Sequence, residues 1–199
     1  MARKLRRSQW KVLSVRYSSI NTTIQQHAEM LADLLRQEAS NPENAKINLV
    51  SHSLGSIIIR GALAELEGTD DRQDQAVTSQ IARIVMLAPP HGGSHVARCI
   101  SRLTNWFCPI MGQLSDSESS YVNRLGNPFA SGKYQLGIVR STKDRVIAQD
   151  RVDIAGSTEM IDINVDHGLL PWSGKAQKLV LDFLDNGCFQ NALQVATGK

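Results

Sequence analysis

Three residue types that together can carry out nucleophilic chemistry stand at turns of this sequence. Ser53 lies in Ser51-His52-Ser53-Leu54-Gly55, Asp144 in "STKDRV" and His167 in "NVDHGLL". A serine hydroxyl attacks a carbonyl only when a base takes its proton, and the base needs a carboxylate to orient its ring. Ser51 and Gly55, two residues before and after Ser53, are small enough for a sharp turn that would lift the hydroxyl out of a sheet. The usual nucleophile elbow is Gly-x-Ser-x-Gly, so Ser51 is a departure from it. Taken alone, Ser-x-Ser-x-Gly also describes an ordinary loop of turn-forming residues.

Other residues compete for these roles. Asp150, Asp153, Asp162 and Asp166 lie near Asp144 or His167 in sequence. His52 adjoins Ser53, but at an elbow its ring would point away from the attacking face, where packing is its expected task. His91 and His95 are four residues apart and could share a helix face as metal ligands, yet no third ligand stands at a useful spacing. "HGGS", residues 91 to 94, mimics a glycine-rich oxyanion loop but falls downstream of Ser53, the wrong place for that job.

The surrounding elements decide whether the three candidates can meet. "WKVLSVRY", 10 to 17, alternates as a strand does. A helix follows, started by Thr22 or Thr23 and carrying Ile24, Ala28, Leu31, Leu34 and Leu35 on one face. "KINLV", 46 to 50, predicts a buried strand, and "SIIIRGALAELEG" a helix ending at Gly68. "DDRQDQAVTSQ" reads as a polar connection, and "IARIVMLAPP", 81 to 90, as a strand stopped by Pro-Pro. Strands are expected again at 134 to 141 and 159 to 166. A last amphipathic helix would bury Ala176, Leu179, Val180, Phe183 and Leu184 and stop at Gly187. Alternating strands and helices predict an α/β fold, a mostly parallel sheet with helices on both faces. Ligands of such sheets gather beyond the carboxyl ends of the strands. Ser53, Asp144 and His167 each follow the end of an expected strand, on one edge.

Composition sets wider bounds. The chain has 199 residues, 42% of them hydrophobic, and a net charge of +3. That fits one domain spanning 1–199. Residues 99–133 show no sustained period and form a possible cap or insert region, where Leu103, Trp106, Phe107, Ile110 and Met111 could form an apolar cap or simply pack the core. The basic "MARKLRR" has no aromatic interleaving and reads as a solvated helix face, not a nucleic-acid site. Cys99, Cys108 and Cys188 have no metal-ligand spacing and suggest a reducing compartment. No apolar stretch is long enough to span a membrane, and no signal peptide opens the chain. A cytoplasmic location is expected, and the oligomeric state stays open.

"LVSHSLGSIIIRGAL", "RIVMLAPPHGGSHVA", "STKDRV" and "DHGLLPWSGKAQKLVLDFL" resemble a lipase/esterase-type α/β-hydrolase. The bacterial lipase-like hydrolases related to GPI inositol-deacylases are the nearest group. The resemblance runs from about residue 5 to 189. It implies Ser53 as nucleophile, Asp144 as acid, His167 as base and the Leu54 N–H as an oxyanion donor. It also implies cleavage of lipid-like or acyl esters through an acyl-enzyme, without a metal or organic cofactor; thioesterases and acyltransferases share the same triad. The family's N-terminal strands, and the His-Gly loop that gives a second oxyanion donor, are missing here. A start assigned too late or a decayed copy would explain this. The alternative function is a non-catalytic or impaired hydrolase-fold binding or scaffold protein.

Overall fold

The structure, a computed structural model, describes residues 1–18, 21–94, 97, 110, 113–115, 117 and 120–189. Four parallel strands form one sheet in the order β1-β2-β3-β4: β1 Ile47–His52, β2 Ile81–Leu87, β3 Gln135–Ser141 and β4 Glu159–Ile163. Helices cover both faces. On one side lie α2 (Ile24–Ser40) and α3 (Leu54–Glu67), packed against Leu49, Ile84, Met86, Leu136 and Ile138. On the other lie α1 (Ala2–Arg7) and α6 (Gly174–Asn186), packed against Val85, Leu87, Val139 and Ile163. Adjacent residues along β2 and β3 therefore feed different cores. This is why these strands read as continuous apolar runs and not as an alternating pattern.

Local sequence accounts for the helix boundaries. Thr23 and Gln26 form a reciprocal capping box at the start of α2. Gly187 adopts φ 78° at the end of α6, a left-handed stop that a side chain would resist. In α6, Ala176, Leu179, Val180, Phe183 and Leu184 are all buried as their spacing predicts. Each large apolar side chain so buried contributes ~1.5–3 kcal/mol.

Two expectations are corrected. Residues 10 to 17 form no strand, because they stand away from the edge of β1 that they would have to pair with. A cavity of about 490 Å³ separates them from β1, with Trp10, Val12, Leu13, Val15 and Tyr17 on one wall and Asn48 to His52 on the other. Alternation makes a segment suitable for a sheet, but hydrogen-bonding partners make it a strand. The polar stretch expected to be a connection contains a helix, α4 (Arg72–Gln80), capped by the Asp71 carboxylate. Its attachment is partly electrostatic: Val77 is buried in the core with α2 and α3, while Arg36 of α2 donates to Asp74 at 2.7 Å and 3.1 Å and also reaches Glu65 of α3.

Of the 99–133 stretch, α5 (Tyr121–Arg124) and the buried Ile110, Val122 and Phe129 join the same core as α2 and α3. Leu103, Trp106, Phe107 and Met111, like Cys99 and Cys108, lie outside the described residues.

Candidate active site

Strand β1 ends at His52 and α3 begins at Leu54, so Ser53 alone makes the turn between them. Its φ of 51° and ψ of −123° are a conformation that non-glycine residues rarely adopt, costing ~1–3 kcal/mol. The turn is held from both sides. Ser53 N–H donates to the Leu87 carbonyl at the end of β2, and the Ser53 carbonyl accepts from Ser56 N–H, each at 2.9 Å. Small neighbours make room: a Cβ on Gly55 would already lie 3.5 Å from the Cβ of Ser51. The serine that stands in place of glycine at 51 is accommodated by a hydrogen bond, Ser51 Oγ to Ser56 Oγ at 2.9 Å. Ser53's own side chain does not cap α3. It points instead toward His167, with Oγ 2.9 Å from Nε2.

Asp144 follows the end of β3. Its Oδ1 accepts the N–H groups of Val146 and Ile147, both at 2.8 Å, and its Oδ2 lies 2.6 Å from His167 Nδ1. Three hydrogen bonds thus fix a carboxylate whose side chain is only 2% exposed. The rival acids are elsewhere. Asp153 and Asp162 pair with Arg140, while Asp150 and Asp166 are exposed. Asp166 precedes the histidine, and its carbonyl accepts from Leu169 N–H as a short 3-10 helix, His167–Trp172, begins.

His167 opens that 3-10 helix, which Leu170 anchors in the core. A carboxylate can only accept, so Nδ1 carries the proton and Nε2 is free to accept from the Ser53 hydroxyl. His52 completes the surround in a way its position beside Ser53 did not reveal. Its Nε2–H donates to the His167 carbonyl at 2.9 Å, and the two rings lie 4.9 Å apart at 49°. Burial, and then the charge His167 would carry, push the His52 pKa below the ordinary histidine value.

The "HGGS" segment supports the acid loop from behind. Ser94 Oγ donates to the Val146 carbonyl at 3.0 Å, and Gly92 exchanges hydrogen bonds with Arg151 at 2.8 and 3.0 Å. Ser94 is 2% exposed, which removes it from reach of a bulky reagent. His91 is buried against Phe129, with both ring nitrogens lacking a partner, and His95 lies outside the described residues.

Arranged this way, the hydroxyl, imidazole and carboxylate can pass a proton from Ser53 to His167 while Asp144 stabilises the resulting cation. The Leu54 and Gly55 N–H groups that open α3 precede its first helical hydrogen bond and carry the helix's positive end.

Comparisons with known proteins place this chain in a family. The fold is similar to Bacillus licheniformis lipase BlEst2 in its mature form, with a TM-score of 0.57 and 15% identity over 84% of this chain and 75% of that one. It is also similar to phospholipase PlaB from Legionella pneumophila, with a TM-score of 0.52 and 15% identity over 76% of this chain and 35% of that one. The chain therefore spans only about a third of the phospholipase. A search of the curated proteins finds no match. A family model described as "Alpha/beta hydrolase of unknown function (DUF900)" matches residues 8–148, which include Ser53 and Asp144 and stop short of His167. The chain belongs to this α/β-hydrolase family.

Proposed function

We infer that the protein is a serine hydrolase of carboxylic esters, lipid-like or acyl, working through an acyl-enzyme. Ser53 Oγ attacks the ester carbonyl as His167 Nε2 takes its proton. His167 then returns that proton to the leaving alcohol. Water, deprotonated by the same imidazole, releases the acid and restores the serine. Asp144 keeps the ring in the Nδ1–H tautomer, and the Leu54 N–H donates to the oxyanion. The observation that carries this reading is the unbroken hydrogen-bond chain from Ser53 through His167 to Asp144, at 2.9 and 2.6 Å. The lipase and phospholipase of similar fold make lipid esters the first substrates to try.

A second reading, an impaired enzyme or a binding module, draws on the open edge of β1, beside which a second oxyanion donor would have to stand. Losing one such donor costs ~10²–10³ in turnover.

Fluorophosphonate labelling and p-nitrophenyl ester hydrolysis test both. The chain should label at Ser53, and Ser53→Ala should fold but not label. Asp144→Asn should lower hydrolysis by about 10⁴, whereas Asp166→Asn should do far less. Labelling that survives Ser53→Ala would remove the serine assignment. Labelling at Ser53 with turnover far below the usual ~10 s⁻¹ would favour the impaired enzyme.

A further inference from the structure

The loops that bring Asp144 and His167 together also leave large apolar side chains in solvent. Trp172 is 77% exposed, Leu169 57% and Val146 39%. In a 3-10 helix, residues three apart eclipse one another, so Leu169 and Trp172 share a face, opposite the anchor formed by buried Leu170. Val146 stands two residues from Asp144, whose 2.6 Å contact with His167 ties its loop to this helix. A tryptophan and a leucine held outward on a turn whose other residues are anchored are not core residues misplaced. They are apolar surface that none of the described residues covers.

Exposed cations stand in the same loops. Lys143 and Arg145 are exposed on either side of Asp144, whose own charge faces His167. Helix α1 adds the basic cluster that the proposed catalysis does not use: Arg3, Lys4, Arg6 and Arg7 are all exposed. This helix is fastened next to Trp172. The Met1 nitrogen lies 3.0 Å from the Pro171 carbonyl, and Leu5 is buried in the same cluster as Leu170. Asp166 is the exposed acid on this 3-10 turn. An aromatic ring and aliphatic side chains flanked by lysine and arginine are matched to the headgroup layer of a bilayer, where indole sits at the polar boundary and cations meet anionic lipid.

We propose that the surface formed by Leu169, Trp172 and Val146, with Lys143, Arg145 and the α1 cations around it, docks the protein on an anionic lipid bilayer. The face that opens on Ser53 and His167 then lies against the membrane. Docking is a property of this surface and does not require that Ser53 reacts, so binding is measured on the full chain carrying Ser53→Ala.

Sucrose-loaded vesicles of phosphatidylcholine alone, or with roughly one third phosphatidylserine, are sedimented with the protein at moderate salt. The protein should follow the anionic vesicles and leave the neutral ones at least tenfold more weakly bound. Lys143→Gln with Arg145→Gln should weaken binding by roughly 30-fold, about one factor of five per cation removed. Leu169→Ser with Trp172→Ser should abolish it while leaving the circular dichroism melt unchanged. Absence of binding by the folded protein, or binding that survives the Leu169/Trp172 double change, overturns the proposal. So does a dimer in multi-angle light scattering that this double change dissolves without any vesicle binding, since the patch would then join two copies of the chain.

Discussion

His52 shows how much of a site can lie in one residue's backbone contact. It precedes Ser53 in sequence, yet its imidazole reaches the carbonyl of His167, 115 positions away. If it positions the base, the N–H matters more than the ring. His52→Phe keeps an aromatic ring and loses the donor, and should lower kcat by about fivefold, the worth of one hydrogen bond of ~1 kcal/mol, with KM little changed. His52→Gln restores an N–H at similar reach and should recover most of that loss. Equal activity in the two variants would leave His52 a packing residue only. At this scale the sequence is informative when a rule of geometry selects residues. Ser53, Asp144 and His167 stand out because each follows a strand on one edge of a parallel sheet, and the structure does bring them within hydrogen-bond distance. No such rule points to His52 or to Ser94 behind the acid loop, because both contacts depend on how distant loops fold over each other.

Among the elements, helices were legible where apolar spacing and caps agree, as in α2 and α6. Helix α4 was not, because its buried face holds one apolar residue, Val77, beside Asp74 and Thr78, and the Arg36–Asp74 pair is a long-range contact that apolar periodicity cannot register. The segment at 10 to 17 failed in the opposite sense: its pattern is strand-like, but a cavity lies between it and the edge of β1. Gly137 in β3 marks where sheet and helix approach most closely. A Cβ there would lie 2.7 and 2.8 Å from the Phe183 ring of α6 and 2.9 Å from Phe189. Ring atoms packed in a core cannot yield by that much without moving α6. Gly137→Val should therefore cost about 1–3 kcal/mol and lower Tm by roughly 2–4 °C for each of them. Gly126→Ala, where a Cβ meets nothing within 4 Å, serves as the control and should melt near wild type. A Gly137→Val protein with wild-type Tm would mean that α6 packs more loosely than its buried face indicates.

For the whole molecule, the balance between folded and unfolded forms should depend on pH through His91. Its ring is buried against Phe129, both nitrogens are without partners, and its carbonyl accepts from the Arg60 guanidinium at 3.2 Å. Burial first, and the nearby Arg60 charge second, push its pKa down to about 3. The unfolded chain, with a histidine of ordinary pKa ~6.5, takes up a proton that the folded chain refuses. Stability from this group is thus complete above about pH 6.5 and falls as the pH drops toward 3. At pH 5 the loss should be about 2 kcal/mol, or roughly 4–8 °C in Tm. His52, whose pKa is also lowered, adds a loss of the same sign. The two separate by substitution. His91→Leu keeps a side chain of similar volume, removes the unpartnered nitrogens and should be neutral or stabilising at pH 8. Its Tm should fall less steeply than wild type between pH 8 and pH 5, because carboxylates and His52 titrate equally in both proteins and cancel in the difference. Parallel Tm curves for the two proteins would show that His91 accepts its proton without unfolding, and that its pocket admits water or a partner for the imidazolium.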